Sequence, residues 1–152
     1  MTEVAILIPT LNRPEFVIRQ LHYYIKVNSP HPVYISDASN EQNQQILEQA
    51  IQVFSSKIKI FYSYDPSLND VQAVRKLIQI TQESYCAYIG DDDFLIPDSL
   101  SQCADFLAHN SDYRTAQGRG ILFHLKQSGG YGEFAGIGDY WKLPQNEEAN
   151  VI

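Results

Sequence analysis

Apolar runs of strand length alternate with stretches at helical spacing four times along the first two thirds of the chain. Val4-Ala5-Ile6-Leu7-Ile8 is a continuous apolar run, the pattern of a strand buried on both faces of a parallel sheet. Pro9-Thr10-Leu11-Asn12-Arg13-Pro14 breaks it. Pro14 suits a first helical turn, and Val17, Leu21, Tyr24 and Ile25 recur at helical spacing, so a helix is predicted from about Pro14 to Lys26. After a turn over Asn28 to Pro32, Val33-Tyr34-Ile35-Ser36 reads as a second strand that ends in Asp37-Ala38-Ser39. Ser39 and Gln42 resemble a capping box, and Ile46, Leu47, Ala50, Ile51 and Phe54 form the stripe of the next helix.

Lys57-Ile58-Lys59-Ile60-Phe61-Tyr62 alternates at its start and reads as a third strand nearer an edge. Asp65 to Asp70 is a loop. The following helix is capped by Asn69 or Asp70, with Val71, Val74, Leu77 and Ile78 as its stripe. Arg75 falls off that stripe, toward solvent or toward a site. Tyr85-Cys86-Ala87-Tyr88-Ile89 then reads as a buried, central strand. It ends at Gly90 and three adjacent carboxylates, Asp91, Asp92 and Asp93, backed by Phe94-Leu95-Ile96-Pro97. Pro97 and Asp98 open a fourth helix with Leu100, Cys103, Ala104 and Leu107 on its apolar face. Beyond His109 the pattern changes. Tyr113 to Leu125 has β character, Ser128-Gly129-Gly130 is a turn signal, and Tyr131 to Phe134 reads as the returning strand of a hairpin. Gly129 to Gly138 would suit a mobile loop, and Gly136 to Ile152 shows no clear period.

This alternation predicts an α/β fold: a mostly parallel, Rossmann-like sheet with right-handed crossovers, helices on both faces and a C-terminal hairpin-like segment. At 152 residues the chain reads as one domain, with a βα core over 1–112 and a β-rich or irregular end over 113–152. A composition of 44% apolar and 19% charged residues fits an ordinary globular protein. The formal charge of −7 argues against general affinity for nucleic acid or anionic membrane, while leaving room for a local basic pocket. Cys86 and Cys103 lack metal spacing and read as reduced core residues. No apolar run reaches the length of a membrane span. A cytoplasmic location is expected, free or peripheral at the membrane.

The candidate chemistry gathers at one edge. In open α/β sheets ligands bind at the carboxyl ends of the strands. Thr10 to Arg13, Asp37 and Asp91 to Asp93 all follow strands, so all belong to that edge. The junction at Thr10 to Arg13 offers free backbone N–H groups to an anion, and Arg13 adds a fixed positive charge. Three adjacent carboxylates repel unless solvated or neutralised, and Mg²⁺ or Mn²⁺ is the hard, oxygen-seeking partner that suits them. No Gly-Lys-Ser/Thr phosphate loop and no Gly-x-Gly-x-x-Gly follows the first strand, which disfavours ATP hydrolysis and NAD chemistry.

Ile8-Pro9-Thr10-Leu11-Asn12-Arg13-Pro14, Ser36-Asp37-Ala38-Ser39 and Tyr88-Ile89-Gly90-Asp91-Asp92-Asp93-Phe94-Leu95-Ile96-Pro97 together resemble, in order and spacing, the family 2 glycosyltransferases of the GT-A fold. The third stretch resembles their Asp-X-Asp (DXD) region. The resemblance implies a transferase that uses a nucleotide-diphosphate sugar, often a UDP-sugar, with Mg²⁺ or Mn²⁺ and with inversion. The acceptor would be a carbohydrate, a lipid-linked or another hydroxyl compound. It implies that Pro9, Thr10, Asn12 and Arg13 lie beside the nucleotide, that Asp37 accepts from the base, and that Arg75 faces the nucleotide. Asp91 would meet the ribose or the metal, with Asp92 and Asp93 as further metal ligands. Two departures are visible: Ser36-Asp37 carries one acid where many relatives have two, and Gly90 stands where many carry the first Asp. No residue matches the family's catalytic base; Glu133 and Asp139 are carboxylates outside any matching motif. The chain resembles the N-terminal, donor-binding part of a longer enzyme. A nucleotide-sugar-binding module without turnover, a sugar nucleotidyltransferase and an acidic interaction domain are the alternatives.

Overall fold

The computed structural model describes residues 2–127 and 131–140. The strands are β1 (Val4–Thr10), β2 (Val33–Asp37), β3 (Ile60–Tyr64) and β4 (Tyr85–Tyr88). The helices α1 (Pro14–Lys26), α2 (Glu41–Phe54), α3 (Asp70–Ile80) and α4 (Pro97–His109) alternate with and follow them. The four strands form one parallel sheet in the order β3-β2-β1-β4. A separate antiparallel pair, β5 (Ile121–Leu125) and β6 (Phe134–Tyr140), follows. The expected α/β architecture is present, with its hairpin.

Alternation along β1 divides the core into two layers. Ile6 and Ile8 face α1 and α2, where they pack with Val17, Leu21, Tyr24, Leu47 and Ile51. Ala5 and Leu7 face α3 and pack with Tyr34 and Leu77. Every residue of β2 is buried, and all but Pro9 of β1, as a continuous apolar run requires.

Several boundaries depart from expectation for local reasons. β4 is an edge strand, with alternate residues exposed, and Cys86 is exposed rather than in the core. β3 begins at Ile60, because the amides of Lys57 and Ile58 still bond back to the Phe54 carbonyl at the end of α2. The cap of α2 is Asn40, whose side chain accepts from the Asn43 amide; Ser39 is occupied elsewhere. Asn69, not Asp70, caps α3, in a full capping box with Gln72. That helix rests on Ala73 and Leu77, so Val71 and Ile78 are left exposed. The returning strand of the hairpin is Phe134–Tyr140, where Gly136 and Gly138 hide the period. Residues 113–120 are not strand. The expected turn at Ser128-Gly129-Gly130 lies outside the described residues.

His31 ties the amino end of β1 to the start of α4. It is buried, and its Nδ1 accepts from the Val4 amide at 3.2 Å. The proton therefore sits on Nε2, which donates to the Pro97 carbonyl at 3.0 Å and lies 3.3 Å from Ser101 Oγ. One ring thus joins the start of β1 to the start of α4. His31→Ala leaves a buried amide without a partner and should cost on the order of 1–3 kcal/mol. A lower urea midpoint at unchanged slope is the expected result; an unchanged midpoint would contradict it.

Candidate functional site

β1 and β4 are paired, parallel neighbours up to Leu7 and Tyr88, and beyond that pair side chains join their carboxyl ends. Thr10 is buried at the end of β1, and its hydroxyl donates to Asp91 Oδ2 at 2.8 Å. Arg13 stands immediately before α1. Its Nη1 lies 3.0 Å from Asp91 Oδ1 and its Nη2 3.0 Å from Asp92 Oδ2. A single guanidinium fork is therefore shared by two carboxylates, a charge-assisted arrangement stronger than neutral bonds. The same guanidinium lies 4.2 Å over the Phe16 ring, with the Arg19 guanidinium 5.0 Å from that ring.

The loop after β4 is held from below. Arg19 Nη2 donates to the Asp92 carbonyl at 2.5 Å and its guanidinium lies 4.8 Å over Phe94. Gln20, fully buried, donates through Nε2 to the carbonyls of Gly90 at 2.8 Å and Asp93 at 2.6 Å, while its Oε1 has no partner. Space at Gly90 is tight: a Cβ there would come 3.1 Å from Asp92 Oδ1, which would have to shift by a few tenths of an ångström.

Asn12 joins the first loop to the second. It adopts φ 57°, a left-handed conformation that asparagine tolerates better than most residues. Its amide donates to Ser39 Oγ at 2.7 Å, and its side-chain oxygen accepts from the Asn40 amide at 2.8 Å and the Asn43 amide group at 3.2 Å. The junction offers fewer free N–H groups than expected. The Asn12 amide is used by Ser39, the Phe16 amide by the Arg13 carbonyl, and Pro14 has none. Positive charge comes from the Arg13 side chain instead.

Asp37 is fully buried, and both its oxygens are engaged, by the Ser39 amide and by the Tyr62 hydroxyl, each at 2.8 Å. The structure gives it the work of fixing the loop after β2. Burial and the Asp37 carboxylate push the Tyr62 hydroxyl far above its ordinary range. Pro9 is half-buried at the end of β1, opposite Ser36. Arg75 stands apart. It lies on the exposed flank of α3, in an open groove of about 590 Å³ lined by Asp70, Val71, Val74, Ile78, Gln79 and Tyr88. Glu133 is exposed and pairs with Lys126 at 2.7 Å; the Asp139 side chain lies outside the described residues.

The three carboxylates differ. The Arg13 hydrogen bond holds Asp92 below the ordinary range. Burial pushes Asp91 up, against the pull of Thr10 and Arg13. Burial, then the charge of Asp92, pushes Asp93 up. Among the described residues no group of three or more His, Cys, Asp or Glu side chains converges to hold a metal ion. The expected set of Asp91, Asp92 and Asp93 is thus not assembled as one cage. Asp91 and Asp92 do converge, on a cation, since both reach Arg13. Two carboxylates are the donor set Mg²⁺ takes when phosphates complete its shell.

Arg19 and Gln20 were not singled out by sequence reasoning. The signal for Gln20 was present: a polar residue inside the stripe of Val17, Leu21 and Tyr24. Arg19, on the flank of that stripe, left no signal.

No protein-family model matches the chain. No curated protein matches it either. Among solved structures, it is similar to S. aureus TarS 1–349, with a TM-score of 0.59 and 18% identity, over 72% of this chain and 33% of that one. A second structure of S. aureus TarS gives a TM-score of 0.56 and 18% identity, over 71% and 20% of the two chains. The chain thus spans about a third of the shorter of these neighbours. At this identity the likeness is one of fold alone: a mostly parallel, Rossmann-like α/β sheet flanked by helices. Among the described residues no helix is long and apolar enough to cross a membrane.

The opposed shifts of Asp91 and Asp92 have opposite consequences. Asp92, held low, adds stability above the ordinary aspartate value of about 3.9, and that contribution is lost as pH falls through its folded value. Asp91, held high by burial, contributes most below about 3.9 and loses that contribution as pH rises through its folded value. Carboxyl ¹³C NMR should show Asp92 titrating below Asp91, with Arg13→Ala moving Asp92 upward. An Asp92 titration left unmoved by Arg13→Ala would contradict the hold of Arg13 on Asp92.

Proposed function

We propose that this chain is the donor-binding part of a metal-dependent glycosyltransferase that takes a nucleotide-diphosphate sugar, with a uridine nucleotide favoured, and transfers the sugar with inversion to a hydroxyl acceptor. The observation that carries the reading is the convergence of Asp91 and Asp92 on one positive charge beside the Thr10–Arg13 loop, at the strand edge where α/β sheets bind ligands. The glycosyltransferase-like fold supports it.

Asp91 and Asp92 would hold Mg²⁺ or Mn²⁺, and Asp93 lies beside them on the same loop. The bound cation would supply neutralisation of the charge that grows on the departing diphosphate. Arg13, at the mouth of the site, offers a planar fork to a phosphate. Arg19 and Gln20 hold the 90–93 loop from behind, so that the carboxylates keep their aim. Asp37, through Tyr62 and Ser39, sets the loop against which a nucleoside would rest. Inversion requires an acceptor hydroxyl to attack from the face opposite the diphosphate, helped by a carboxylate base. The acceptor and that base are assigned to the longer protein of which this chain would form the donor half.

Thermal unfolding with UDP, GDP or TDP, each with and without Mn²⁺, tests the reading. A ligand at a hundred times its dissociation constant stabilises the folded state by about 2.7 kcal/mol. The expected result is a rise in melting temperature that needs both Mn²⁺ and one nucleotide and is lost in Asp92→Ala. No rise with any of the three, or a rise that survives Asp92→Ala, would overturn it.

A further inference from the structure

Arg13 is a cation already seated where two carboxylates converge, and it is only partly buried, at 40% side-chain exposure. Resting on the proposed donor site, we infer that Arg13 is an exchangeable counter-ion. It closes the acidic pair while the site is empty, gives way to the divalent cation, and passes to the diphosphate that arrives with it.

The geometry limits the alternatives. Both Asp91 Oδ1 and Asp92 Oδ2 lie 3.0 Å from guanidinium nitrogens, so a metal ion set between these two oxygens competes with the guanidinium for the same space and the same negative charge. Asp91 has its other oxygen tied to Thr10 at 2.8 Å, so it cannot turn to offer a fresh face without breaking that bond. The Arg13 side chain has somewhere to go. It rests on the Phe16 ring, exposed enough to turn about that contact, and a guanidinium fork matches two phosphate oxygens as well as two carboxylates. The loop that carries the acids need not move, because Gln20 and Arg19 hold it by its carbonyls.

The consequence is coupling. The cation alone must compete with Arg13, and the diphosphate alone finds Arg13 engaged. Each releases what the other needs, so each should raise the affinity of the other by the same factor.

The test is Mn²⁺ binding to the intact chain, read from the free-ion EPR signal, with UDP affinity measured in parallel by calorimetry. Arg13→Ala should bind Mn²⁺ without nucleotide about 5-fold or more tighter than the unaltered chain, while its UDP affinity in Mn²⁺ falls and the mutual enhancement shrinks. Lys26→Ala, which removes a positive charge from the far end of α1, should leave Mn²⁺ affinity unchanged, as a control on general electrostatics. Circular dichroism checks that each variant is folded, and Arg13→Gln, closer in shape, serves if Arg13→Ala is not. Equal or weaker Mn²⁺ affinity in the Arg13 variants, or an equal gain in Lys26→Ala, would overturn the exchange. If the unaltered chain binds UDP only with Mn²⁺ and the Arg13 variants bind Mn²⁺ no tighter, the donor site stands and the exchange fails. If no variant binds Mn²⁺ or UDP, both fail.

Discussion

Two carboxylates held on one guanidinium are the constraint around which this edge of the protein is built. Asp91 and Asp92 follow an edge strand, and like charges on adjacent residues oppose one another. Arg13, from the loop after the central strand, lies 3.0 Å from each and joins the ends of β1 and β4. Everything nearby serves that contact. Thr10 fixes the inner carboxylate, Gln20 and Arg19 fix the loop backbone, and Gly90 leaves room for Asp92 to fold back. The overall formal charge is −7, yet two arginines stack about one phenylalanine beside the acidic loop, Arg13 on its carboxylates and Arg19 on its backbone. Local arrangement, not net charge, decides what the edge attracts.

Much of this was legible in the residues. The unbroken apolar run of β1 reads as a strand covered on both sides, and it is one of the two inner strands of the sheet. Pro14 and the spacing of Val17, Leu21 and Tyr24 placed α1 from its first residue to its last. The three polar loops were correctly expected at one edge because each follows a strand of a parallel sheet. What remained hidden depended on long-range neighbours. Nothing in Tyr85 to Tyr88 says whether another strand lies beyond, so an edge strand read as a central one. Arg75, in the middle of α3, and Arg13, immediately before α1, are the same residue type, and only Arg13 is seen to reach a carboxylate pair. Asp37 reads as a ligand-facing acid, and only the fold shows Tyr62 and Ser39 taking both of its oxygens.

The two faces of the sheet are unequally covered. Helices α1 and α2 bury one side, whereas α3 rests on the other by a narrow line through Ala73 and Leu77. Beside it, Val71, Ile78 and Tyr88 are exposed around the groove that holds Arg75. The acidic loop lies at the junction of the well-packed half and the open one. Its precision comes from the packed half: Arg13, Arg19 and Gln20 all sit on or next to α1, a helix whose inner face is fully buried. A rigid element thus positions the groups that need aim, as binding sites in α/β proteins require.

The central claim is that a divalent cation belongs at Asp91 and Asp92. Paramagnetic broadening of backbone amide NMR signals by substoichiometric Mn²⁺ with UDP tests it most directly. Signals of Thr10 to Arg13 and Gly90 to Asp93 should vanish first, while those of the last turn of α2, Ile51 to Phe54, persist. Broadening centred on another acidic surface, or none at concentrations where Mn²⁺ and UDP are both in excess, would contradict the account.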